Sequence, residues 1–237
     1  MTSHSEVASE LVPPLADGQK DVVGESRWPP LLAVLLFLGL NVGLRLWLPG
    51  EVLVGVPWVL PAIEFATLIV LFVGNPGSLT KPRRWARPLA LAAVGLLVTG
   101  ALWATVLLVY HLVTGAKVTE SPGMLLAAAS LVYIGNNVSF SVLYWLLDSG
   151  GPAARARGVH RDRDYAFTQH MSPELAPPGW RPVFADYFHL GFTNATAFSP
   201  TDVMPLTLRA KYTMLVHSTV ALALFGLVVA RAVNAFA

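Results

Sequence analysis

Five long apolar runs, separated by polar breaks, set the pattern of this chain. The first, residues 31–48, stops at Pro49 and Gly50, and the second, 52–73, follows so closely that the two form an antiparallel pair. A connector with Lys81, Arg83, Arg84 and Arg87 precedes the third run, about 89–113, and a linker with Lys117, Glu120 and Pro122 leads to the fourth, 124–147. Residues 208–236 form the fifth. About twenty apolar residues cross a bilayer, so each run is long enough for a transmembrane helix. The expected fold is an all-α membrane protein of five transmembrane helices, with one further segment that enters the bilayer without crossing it.

That segment lies in DYFHLGFTNATAFSPTDVMP, residues 186–205. From 184 to about 195, Phe184, Tyr187, Phe188, Gly191 and Phe192 recur at i, i+3, i+4, i+7 and i+8, which predicts one helical face. A dozen helical residues cover roughly 18 Å, too short to cross and long enough to enter and stop. Non-helical backbone follows, ending at Pro200 and Pro205. At membrane depth such backbone survives only where protein buries it or water lines it. A re-entrant pore helix and loop before the last span has that geometry.

The polar stretches divide the rest. Residues 1–27, with Glu6, Glu10, Asp17, Asp21 and Glu25, predict a solvated, disordered tail, and with no basic stretch ahead of the first apolar run it is not a signal peptide. Residues 28–147 form a four-helix transmembrane region. Residues 148–182, rich in Arg, Pro and Gly, predict a loop too irregular to build a core of its own, and 183–237 a module of short helix, loop and inner helix.

Composition agrees with the pattern: 54% of the 237 residues are hydrophobic and 13% charged, as in integral membrane proteins. Cysteine is absent, which excludes disulfides, thiolate metal sites and a cysteine nucleophile. With five spans, Arg45, Lys117 and Arg231 fall on one side and the other 13 of the 16 basic residues on the opposite side, which places the N-terminus in the cytoplasm. The net charge of +2 therefore reports topology and not a nucleic-acid partner.

Polar residues inside the runs are the candidate chemistry. Glu64 lies mid-span after Pro57 and Pro61, where an acid must be neutral, paired or beside water. It is either a neutral carboxyl bonded between helices or an ion or proton site; Arg45 lies too shallow to pair with it, and Glu51 is nearer to Arg45. Asn136 and Asn137 sit mid-span, and Ser130, Asn137 and Ser141 share a face that either bonds helix to helix or lines a pore. His217 and Thr213 stand one turn apart in the fifth run, placed to meet water or to bond between helices. No two histidines have the i, i+4 spacing of a helical metal site, and no metal or cofactor is expected. Arg155 to Arg163 predicts a solvated surface beside anionic lipid. Asp148, His160, His170, Asp186 and His189 are scattered without nucleophile-base spacing, so an enzyme is not expected.

The run DYFHLGFTNATAFSPTDVMPLTLRAK, followed by LVVARAVN, resembles the pore module of two-helix potassium channels: a pore helix, a T-x-G-Y-G-D filter, a Pro three residues after the Asp, then an inner helix with basic residues at its ends. The resemblance covers about fifty residues and sets Thr196 at the filter threonine, Phe198 at the middle apolar position, and Asp202 and Pro205 at the filter Asp and Pro. Arg209 and Arg231 take the basic positions. The whole chain also resembles a group of uncharacterised bacterial integral membrane proteins that carry the same TNATAFSPTD run, which implies the bacterial plasma membrane. Ser199, Pro200 and Thr201 stand where the filter has Gly-Tyr-Gly. A carbonyl ladder needs glycine backbone conformations, and Pro200 fixes φ near −65°, so potassium selectivity is not expected. The expected function is a homotetrameric, channel-like protein passing cations or small polar solutes, with Thr193, Thr196, Ala197, Phe198, Ser199, Pro200, Thr201 and Asp202 at the constriction. A non-conducting scaffold with the same fold is the alternative.

Overall fold

The computed structural model describes residues 25–26, 28–47, 58–74, 85–114, 122–156, 162–196 and 202–236. They are mostly helical: α1 (Trp28–Trp47), α2 (Val59–Gly74), α3 (Ala86–Thr114), α4 (Pro122–Leu147), α5 (Pro152–Ala156), α6 (Thr168–Met171), α7 (Phe184–Thr196) and α8 (Leu208–Phe236). A pair of three-residue strands, β1 (Tyr165–Phe167) and β2 (Val203–Pro205), runs antiparallel with Phe167 opposite Val203.

Helices α3, α4 and α8 are long and apolar enough to cross a membrane, whereas the apolar stretches of α1 and α2 are shorter. At 16 residues α2 rises about 24 Å, short of the ~30 Å hydrocarbon core.

Helix α4 is the hub. It packs against α1, α3, α7 and α8, and is mostly buried where α3 and α8 are mostly exposed. Its small residues allow this, because helices that interact without a strong hydrophobic drive approach closely at Gly, Ala and Ser. At Gly135 a Cβ would lie 2.4 Å from Cζ of Phe37, so α1 seats an aromatic ring where only glycine leaves room. Leu31, Val34, Phe37, Val94, Leu97 and Val138 belong to the main core, and Leu108, Leu112, Leu125, Ala128 and Leu224 form a second cluster toward the start of α4.

Two expectations change at the polar end of the bundle. Within residues 148–182, Tyr165 and Phe167 join the main core and are buried, their rings against Tyr187 near the start of α7. Arg155 is likewise almost buried, its side chain 7% exposed, and not part of a solvated lipid-facing surface. Glu25, at the end of the expected solvated tail, is tucked against α4, and residues 1–24 lie outside the described residues.

Candidate functional site

Helix α7 starts at the end of α4 and runs back along it. Near its start, the Tyr187 hydroxyl donates to Oδ2 of Asp148 at 2.6 Å, just past the last turn of α4. One turn on, a Cβ at Gly191 would fall 2.3 Å from Oγ of Ser141 and 3.5 Å from the carbonyl oxygen of Asn137, so the helices touch backbone to side chain. Near its end, Asn194 donates to the Met214 carbonyl of α8 at 3.0 Å. After residues 197–201, which are outside the described residues, the chain reappears at Asp202 and β2 pairs with β1. Both ends of this segment are thus fastened at the same end of α4, while the helix between them reaches the level of Asn137.

The fastening is polar and buried. Asp148 is fully buried and accepts the backbone N–H groups of Asp164 at 2.9 Å and Tyr165 at 3.3 Å as well as the Tyr187 hydroxyl. Asp164, also fully buried, holds the Arg209 guanidinium at 2.5 and 2.7 Å and the Thr207 hydroxyl at 2.6 Å. These bonds tie β1 to the start of α8. Removed from water, a carboxylate is tolerated only with such a set of donors. Burial pushes the Tyr165 phenol above its ordinary range, and its hydroxyl lies 3.4 Å from that of Thr213. Among the described residues, the chain turns off α4 with Ser149, Gly150 and Gly151 at positive φ, which the two glycines adopt without strain.

A second polar group lies deeper. His217 is fully buried in α8, stacked on Phe140 at 4.3 Å with the rings 2° from parallel, and its Nδ1 is 3.0 Å from the Tyr144 hydroxyl. Tyr144 in turn receives the Asn194 amide at 3.5 Å. The histidine is therefore a bond between helices, joining α4 and α8 beside α7.

The remaining expected residues are dispersed. Glu64 is fully buried and accepts from Asn41 of α1 at 2.7 Å, which fits a carboxyl bonded between helices. Asn136 donates to Thr105 of α3 at 2.7 Å, a true bond between helices, whereas Asn137 donates to Tyr133 in its own helix and Ser130 is exposed. Thr193 and Thr196 cap carbonyls of their own helix at 2.9 Å each, and Thr213 bonds the Arg209 carbonyl. Asp202 and Thr196 are exposed. Ala197, Phe198, Ser199, Pro200 and Thr201 are outside the described residues.

Glu25, Trp145, Asp148, Arg155, Asp164, Tyr165 and Tyr187 meet as one structure that their separate places in the sequence do not announce. A signal existed in the alternation of Tyr165-Ala166-Phe167 after Asp164, which suits a half-buried strand. Among the described residues, no group of three or more His, Asp or Glu could hold a metal ion. Comparison with protein-family models, curated proteins and solved structures gives no match.

Proposed function

We propose that the chain is a five-span protein of the bacterial plasma membrane in which residues 184–205 form a re-entrant segment. It would act in a homotetramer as a channel-like constriction for cations or small polar solutes. The observation that carries this is the return of the segment: Tyr187 is bonded to Asp148 at the end of α4 and Val203 pairs with β1, which is bonded to the same Asp148, while Gly191 and Asn194 lie deep between α4 and α8. Residues 197–201, between Thr196 and Asp202, lie outside the described residues and carry the hydroxyls of Ser199 and Thr201. Carboxylates grouped around a symmetry axis attract cations with modest discrimination. The uncovered face of α7, with Phe188, His189, Phe192 and Thr196, is open to a neighbouring copy.

Asp202→Asn in liposomes is expected to lower cation flux severalfold while leaving folding intact. Unchanged flux would remove Asp202 from the constriction.

A second reading, a non-conducting scaffold, draws on the hydroxyls of Thr193 and Thr196, whose protons are donated to carbonyls of their own helix. It predicts no flux from the unsubstituted protein and capture of partner proteins by the same face.

A further inference from the structure

Glu25 lies just ahead of α1, and its carboxyl group is gripped on both oxygens. Trp145 donates its indole N–H to Oε1 at 2.6 Å, and Nη2 of Arg155 donates to Oε2 at 2.9 Å. Both charged side chains are nearly buried, 10% exposed for Glu25 and 7% for Arg155.

The donors are positioned without help from Glu25. The other terminal nitrogen of Arg155 donates to the carbonyls of Trp145 and Asp148 at 2.9 and 2.8 Å. The Trp145 carbonyl lies in the last turn of α4, where helix oxygens lack partners within the helix and favour a cation, and that of Asp148 lies just past it. The guanidinium also lies 5.0 Å from the centre of the Tyr187 ring, so the first turn of α7 backs it from the other side. Trp145 is held in the core and meets Phe184 edge to face at 6.1 Å. Two donors at fixed separation, one of them charged, match a carboxyl group in both shape and charge.

We infer that Trp145 and Arg155 form a carboxyl-recognition site at the foot of α7, and that Glu25 is its tethered ligand. Because α1 and α7 otherwise touch only slightly, Glu25 is the latch that couples the start of the chain to the segment ending at Pro205. Removing it uncovers the Arg155 charge beside Tyr187, and the ring loses one side of its setting. The latch stands apart from conduction and would hold in a scaffold equally.

The chain has no cysteine, so a nitroxide can be placed at Ser26→Cys or Val183→Cys in the full-length protein in liposomes. In the otherwise unsubstituted protein both labels are expected to be immobilised. Glu25→Ala should free the label at 26, loosen that at 183 and lower Tm by roughly 3–6 °C. Acetate, which fits the space the Glu side chain leaves, should restore Tm and both signals, whereas chloride at equal ionic strength should not. Glu25→Gln, which keeps an oxygen for Trp145 but turns an amide toward Arg155, should fall between. Labels unmoved by Glu25→Ala, or acetate no better than chloride, would overturn the site. A freed label at 26 with an unmoved label at 183 would overturn the latch.

Discussion

Asp148 ends the apolar face of α4 and accepts hydrogen bonds from Ser149, Asp164, Tyr165 and Tyr187. A buried carboxylate so supplied depends on each donor. Tyr187→Phe should cost about 1.5–3 kcal/mol, the worth of a hydrogen bond to a charged group, and chemical denaturation of the purified protein will measure it. Two other titrating groups at this end have pKa values shifted in opposite directions. His170 packs on Trp180 at 5.1 Å and has its pKa lowered from 6.5, by burial first and then by Arg163, with Asp148 and Asp186 opposing. Its folded value is below its unfolded one, so its contribution is present above pH 6.5 and lost as pH falls through the lowered value. His170→Gln should therefore flatten the decline of Tm on mild acidification; an unaltered decline would assign it elsewhere. Glu25 has its pKa raised from 4.5 because loss of water outweighs the attraction of Arg155 and the Trp145 bond, with Asp186 adding to the rise.

At the scale of elements, close approach of helices is the feature most open to test. Gly135→Ala would drive a methyl group into the Phe37 ring, and a ring cannot yield as a flexible chain end can, so a loss of about 1–3 kcal/mol is expected. In a Phe37→Leu background the same substitution should cost less, and equal costs in both backgrounds would place the strain elsewhere. Helix positions were largely legible from hydrophobic pattern: the runs at 89–113, 124–147 and 208–236 correspond to Ala86–Thr114, Pro122–Leu147 and Leu208–Phe236, and the face at 184–195 to Phe184–Thr196. The second run, 52–73, corresponds to Val59–Gly74 over its described part, residues 52–57 lying outside the described residues. The pairing of the strands was hidden. Tyr165 pairs with Pro205 forty positions further along the chain, and a three-residue strand has too little pattern to announce a partner that distant. For the site, the deep polar residues were found singly from their cost in an apolar run, as with Glu64 and His217. Their partners Asn41 and Tyr144 depend on which helix lies opposite, which periodicity does not specify.

For the molecule as a whole, the connection between sequence and proposed function is the path of residues 184–205. The bond from Tyr187 to Asp148 and the pairing of Val203 with Phe167 hold its ends at one end of α4, and Asn194 holds its middle to Met214 of α8. The proposed constriction at Asp202 requires that this segment enter and leave by one face. The most direct measurement is labelling of single cysteines by a membrane-impermeant maleimide in sided vesicles, at the exposed positions Val183, Asp202 and Gly123. A re-entrant path predicts that 183 and 202 react from the same side and that 123, at the opposite end of α4, reacts only from the other. Labelling of 183 and 202 from opposite sides would mean that the segment crosses the membrane, and would contradict the account.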